Sequence, residues 1–400
     1  AENVSSKMQG KIQQVLSRRG LDLWVYKHNK TLERVLDDAQ IWTEGKATER
    51  RALFAKLREE APQQAISFLA STWTQESLSD KIGFIEGIKA TFQPEDIPFL
   101  EALLPEFSYQ SKERKTQRSL REITTGLLLS EPTTTVYQQT TELLKGYISK
   151  EKSKGLLGWV GKEQPLFLLP ETEDAFWNTA TMLSTFGFDT TPDTAIFVTN
   201  QHYWLACFLE YLPINFWTNQ WECSVEEVLH FFISEKYQVK LAGRNTAIFL
   251  AALIKNAVQH RNKDLTNALL KATNLQDQLP LLAVLSPAER EKYLIDTQQL
   301  TNFPALQACF NMWKGTWSVQ FSTKLLSACY TAIVEGNTYL PDHFAVLMAS
   351  HLHPSANQFL QNAKIYPLSA TPYYTNYWEK SFVNVLLKTL EIRQQITTLA

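Results

Sequence analysis

The chain reads as an all-α protein, a superhelix of stacked helix pairs. Three observations predict this. Helix pairs open near Ala47, Ser79 and Ser111, a spacing of about 32 residues, which lies in the range of helical solenoids. Each helix carries an apolar stripe at i, i+3, i+4 spacing. Strand signals are weak throughout, with no Asn-Gly or Asp-Gly turn between alternating apolar runs. A helix pair cannot bury its apolar face alone, so neighbours must stack.

The first pair opens with ATERRALFAKLREE. Leu53, Phe54 and Leu57 form its stripe, and Arg50, Arg51, Lys56 and Arg58 are left for solvent. Pro62 suits the first turn of the second helix, where its missing N–H costs nothing. Ile66, Leu69, Ala70 and Trp73 then share one face, which predicts a core position for Trp73. In the second pair Ser77 and Asp80 stand at capping-box spacing. Phe84, Ile85, Ile88 and Phe92 follow, and Pro94 opens a helix lined by Ile97, Leu100 and Leu104. The third pair sets Arg114, Arg118 and Arg121 on one face and Leu120, Ile123 and Leu127 roughly opposite.

The segment KEKSKGLLGWVGKEQ, Lys150 to Gln164, combines charge and glycine with no period and reads as a loop. It divides the chain into an N-terminal helical-repeat domain, 1–150, and a less regular helical domain, 165–400, either continuous with the first or a second subdomain. Beyond it Ser224-x-x-Glu227 is a helix start, and Ser286-Pro287-x-Glu289 adds a proline at the first helical position. The last helix runs from about Tyr374 to Thr398. It aligns Trp378, Phe382, Val385, Leu386 and Thr389.

The segments WTEGKATERRALFAKLREEAPQQAISFLASTW and PEDIPFLEALL resemble an uncharacterised bacterial family, a domain of unknown function built from HEAT-like helical repeats. SPAEREKYL and GTWSVQFSTKLL are weaker echoes of it. The resemblance implies a HEAT- or armadillo-like α-α superhelix and carries no catalytic residues over. Members of that family are often encoded near MoxR-type AAA+ ATPases and von Willebrand factor A proteins. By association this implies a protein partner of one of those classes.

Composition excludes several functions. The 400 residues are 44% hydrophobic and carry a formal net charge of −2, where a general nucleic-acid binder more often has a domain pI above ~9. Cys207, Cys223, Cys309 and Cys329 are scattered, which fits buried thiols in a reducing compartment better than a disulfide framework. The N-terminus shows no apolar signal segment, and no apolar run reaches the ~18 residues of a membrane span. The expected location is therefore cytoplasmic. No P-loop, HExxH, CxxC or GxSxG string occurs. His351-x-His353 and the pair Cys223 and His230 each supply only two ligands, so no metal and no cofactor is expected. Glu171, Glu173 and Asp174 read as an acidic helix start rather than as acid–base catalysts.

The most unusual stretch is Glu163 to Glu235. It holds eleven acids, fifteen aromatic residues and no Lys or Arg. Its candidate partner-binding residues are Tyr203, Trp204, Glu210, Trp217, Trp221 and Glu222, read as an aromatic-lined acidic groove for a basic or proline-rich segment. The competing reading is a bulky inter-helix core, its acids neutralised by bases elsewhere. The second candidate is the arginine stripe of Arg114, Arg118 and Arg121, for phosphate or an acidic partner. A solvated helix face is the alternative there.

These observations lead to a non-enzymatic scaffold or adaptor that presents a helical-repeat surface to a protein. The rival is a nucleic-acid-acting repeat protein of the DNA glycosylase type. The near-neutral charge and the cation-free centre speak against it.

Overall fold

The computed structural model describes residues 37–107, 115–154, 160–189, 196–197, 199–241, 244–273, 275–313, 315–336, 338–355, 360 and 372–399. The described chain is all-α, with two short antiparallel hairpins. It divides into two compact units, Ala1–Leu103 and Leu104–Ala400.

In the first unit a short helix α1 (Asp38–Glu44) precedes α2 (Ala47–Glu60), α3 (Pro62–Thr72), α4 (Leu78–Ala90) and α5 (Ile97–Leu103). Two helix pairs stand where the spacing placed them. Pro62 occupies the first turn of α3, and the Ser77 hydroxyl accepts from the Asp80 N–H at the start of α4. Trp42, Phe54, Phe68 and Phe84 form an aromatic centre, with Trp42 5.5–6.3 Å from the other three rings. Trp73 is buried as expected, edge-on to Phe99 at 5.6 Å with the Lys81 ammonium over its ring.

Two of the arginines assigned to solvent are not there. Arg58 is 2% exposed, and its guanidinium grips Asp96 through two bonds of 2.6 and 2.7 Å. Two further bonds go to the Thr91 hydroxyl and carbonyl. Arg50 holds the buried Glu76 with bonds of 2.5 and 3.0 Å. A buried guanidinium needs all this, because desolvating it is costly unless its charge and donors are met together. The helix phase explains the inward turn, since Arg58 follows Phe54 by four residues and so lies on the apolar stripe.

The second unit begins with the third pair, α6 (Lys115–Leu129) and α7 (Thr135–Lys145). A hairpin follows, β1 (Ile148–Lys154) against β2 (Val160–Phe167), with Ile148 opposite Phe167 and Lys152 opposite Glu163. The loop expected over Lys150–Gln164 is thus corrected to a hairpin. Between Ile148 and Leu166 its strands read SKEKSK and VGKEQP, so no alternating apolar signal marks it. Beyond it lie α8 (Asn200–Tyr211), α9 (Ile214–Trp221) and α10 (Val225–Ile233). A second hairpin, β3 (Gln238–Leu241) and β4 (Arg244–Ala247), leads to α11 (Leu250–Gln259) and α12 (Lys263–Ala272). Then come α13 (Leu275–Leu282), α14 (Pro287–Asp296), α15 (Phe303–Met312), α16 (Val319–Tyr330), α17 (Asp342–His351), α18 (Pro372–Tyr377) and α19 (Val383–Leu399). The capping boxes at Ser224 and Ser286 both form.

One contiguous core runs through this unit from Leu129 to Leu390. Its tightest approach is α6 on α8. A Cβ on Gly126 would lie 2.3 Å from the Tyr211 ring, so only glycine fits there. None of the four cysteines is in a disulfide, and Cys207, Cys309 and Cys329 are buried. Among the described residues, no helix is long and apolar enough to cross a membrane.

Candidate functional site

The acidic, aromatic stretch forms the middle of the second unit. Thr199 caps α8, its hydroxyl accepting the His202 N–H, and Trp204 to Leu209 are then buried without a break. A helix that is apolar on every side must be covered on every side. The π turn Met182–Phe186 packs on α6, while α6 and α11 pack on α8.

The expected aromatic anchors are therefore corrected. Trp204 and Trp217 are 0% exposed and Trp221 is 2% exposed. The Trp204 indole donates to the Asp189 carbonyl at 3.0 Å. Trp217 lies among Phe167, Phe216, Trp221 and Phe232, with centroids 5.0–5.9 Å away. The Trp221 indole donates to the Ser149 carbonyl at 2.9 Å and the Leu166 carbonyl at 3.3 Å, pinning both strands of the first hairpin. None of the three can reach a partner pocket. Tyr203 is half-buried and edge-on to Phe197, and burial pushes its phenol far above the usual range.

The arginine stripe is corrected too. Arg121 is 1% exposed and donates to the Leu183 carbonyl at 2.7 Å. Arg118 pairs with Asp189 at 3.1 Å. Arg114 lies outside the described residues. The inward turn follows from what α6 packs on: the segment at 183–189 offers a carbonyl and a carboxylate to this face.

Three of the eleven acids pair with bases from outside the stretch. Glu210 pairs with Lys255 at 2.8 Å, Glu222 with Lys150 at 2.5 Å, and Asp189 with Arg118. Asp174 is a structural hub. It accepts the Tyr147 hydroxyl at 2.6 Å and the N–H groups of Phe176 and Trp177 at 2.8 and 2.7 Å. Burial would raise its pKa, but these three donors outweigh it and hold the carboxyl below its ordinary range.

Two hollows flank the first hairpin. The smaller, about 260 Å³, brings together Trp221 and Glu222 with Lys150, Glu163, Cys223 and Glu227. Glu222 ends α9 in the left-handed region at φ 46, and its side chain is largely exposed at the rim. The Lys150 bond holds the Glu222 carboxyl below its usual range. The Glu227 carboxylate accepts the Ser224 N–H at 2.9 Å. Among the described side chains, three carboxylates face one ammonium here.

The larger hollow, about 430 Å³, lies between Leu168–Pro170, His202 and Lys236. Burial, then the nearby Lys236, lowers the His202 pKa, so the ring is neutral near pH 7. His230 is exposed on α10, and His351 stacks on Trp317 at 5.3 Å. Among the described residues, no three His, Cys, Asp or Glu side chains are placed to hold a metal ion.

Sequence reasoning missed the hairpin walls of both hollows, which no local pattern marks. A helical chain with this core and these hollows defines a class of fold rather than an activity. The chain belongs to the family of unknown function DUF5691, whose model matches residues 3–399. Among curated proteins and among solved structures nothing matches it.

Proposed function

We propose that this chain is a non-enzymatic, cytoplasmic scaffold or adaptor of HEAT-like helical-repeat type that holds a protein partner through the second unit. The observation that supports it best is the smaller hollow beside the first hairpin. Among the described residues Glu163, Glu222 and Glu227 line it with the Lys150 ammonium, and Lys150 is already bonded to Glu222. Such a rim favours a basic side chain, with the exposed acids steering the encounter. The larger part of the original acidic groove, around Trp204 and Trp217, is core and is not part of the proposal. By the neighbourhood habit of the family it resembles, the partner is an AAA+ ATPase or a von Willebrand factor A protein.

The test is titration of the full chain with a labelled oligo-arginine peptide at rising salt. Binding should saturate and weaken with salt, because exposed charges are screened over about 8 Å at physiological ionic strength. Glu163→Lys with Glu222→Lys should abolish it. Binding that survives both substitutions would overturn the assignment of the hollow.

A further inference from the structure

Accessible aromatic surface does exist in this protein, far along the chain from the stretch where composition concentrates it. Tyr373 and Tyr339 are 67% and 58% exposed, the two most exposed large apolar side chains among the described residues. They belong to one cluster. The Tyr339 and Tyr377 rings lie 4.9 Å apart at 37°, and Tyr373 and Tyr374 stand perpendicular at 5.0 Å. Tyr377 links the two pairs, since it stands against Tyr339 and one helical turn after Tyr373 on α18, and its hydroxyl donates to the Leu340 carbonyl. Four tyrosines thus form a ridged, partly anchored surface.

The backbone beneath is unusual in the same place. Two of the three π turns among the described residues, Thr331–Glu335 and Trp378–Phe382, flank the cluster. Tyr330, which precedes one, is edge-on at 5.4 Å to Trp378, which opens the other. π Turns are rare and are frequent at functional sites. Here one sends Trp378 and Phe382 inward, stacked at 5.6 Å, while Tyr373 on the preceding turn stays outside. An acid borders the patch. Asp342 opens α17 three residues after Tyr339, and its carboxylate accepts from the hydroxyl of Ser381, four residues beyond Tyr377, at 3.4 Å.

We infer that the surface of Tyr339, Tyr373, Tyr374 and Tyr377 docks a proline-rich segment with a basic flank from a protein partner. The chemistry is complementary at three levels. Polyproline II has no internal hydrogen bonds, so its carbonyls need outside donors, and phenols supply them. Proline rings pack into slots between aromatic side chains, the usual mode of recognition for such segments. Asp342 then meets the basic flank. The low conformational entropy of both tyrosine and polyproline II keeps the ordering cost small. The inference rests on the adaptor reading above but on different residues from the acidic hollow.

The test uses the full chain and a fluorescein-labelled oligoproline of about ten residues, roughly three turns of that helix, ending in two arginines. Anisotropy should show saturable binding. Tyr339→Ser with Tyr373→Ser should weaken it about tenfold or more while leaving the melting temperature unchanged, because both side chains are exposed. A peptide ending in two glutamates should bind more weakly. Glu163→Lys with Glu222→Lys should leave oligoproline binding intact, so failure of the acidic hollow and failure of the tyrosine surface are separable. The inference is overturned by the absence of saturable binding, or by equal binding to the tyrosine variant. Wild-type self-association that the tyrosine variant abolishes would also overturn it, by giving the surface to a second copy of the chain.

Discussion

Residues 203–221 and the segment 373–382, with Tyr339 beside it, are both rich in large aromatic rings, and the structure puts them to different uses. In the first stretch Trp204, Trp217 and Trp221 are sealed inside, with the Trp204 and Trp221 indole N–H groups donating to backbone carbonyls. In the second, Tyr339 and Tyr373 face outward while Trp378 and Phe382 turn in. Ring density therefore says nothing about access. What decides is cover: α8 meets α6 and α11, α9 meets β1, and α10 meets β2. The residue type carries some of the difference as well, since a phenol tolerates water better than a bare apolar ring.

The largest expected effect breaks the first half of this comparison. Trp217→Ala removes a ring enclosed by four aromatic neighbours and should cost about 3–5 kcal/mol. An unchanged urea midpoint, followed by circular dichroism, would show that the ring is not in the core.

A second substitution asks whether charge in the first unit is as interior as tryptophan in the second. Arg58→Met leaves the Asp96 carboxylate buried and uncompensated, for an expected loss of about 3–5 kcal/mol. The double change Arg58→Met with Asp96→Leu should recover much of that, because replacing both partners removes the unpaired charge. If the two losses simply add, the pair is not coupled and Arg58 does not act through Asp96.

The smallest effect sharpens the second half. Tyr339→Ser with Tyr373→Ser should change stability by under about 0.5 kcal/mol, the usual range for surface positions. A loss of several kcal/mol on thermal unfolding would mean that these rings are structural, like those of α8 and α9.

The features legible in the sequence were local ones. The caps at Ser77, Ser224 and Ser286 and the proline at 62 depend on neighbours three or four residues away, so they stand where the pattern put them. The burial of Trp73 followed from its stripe. Features that depend on distant partners were not legible. Arg58 was on the stripe beside Phe54, but its acid lies 38 residues on. The first hairpin shows no apolar alternation, its strands reading SKEKSK and VGKEQP between Ile148 and Leu166. Glu210 and Glu222 are neutralised by Lys255 and Lys150, 45 and 72 residues away in the chain. The last helix was legible from about Tyr374, but the π turn Trp378–Phe382 inside it, which stands between the outward Tyr373 and the rest of the helix, is marked by no propensity.

Hydroxyl-radical footprinting of the folded full chain, read residue by residue by mass spectrometry, tests the contrast most directly. The account predicts rapid oxidation of Tyr339 and Tyr373 and protection of Trp204, Trp217 and Trp221, with protection of the two tyrosines appearing when oligoproline is added. Rapid oxidation of those tryptophans in the native protein, or protection of the tyrosines without any ligand, would contradict it.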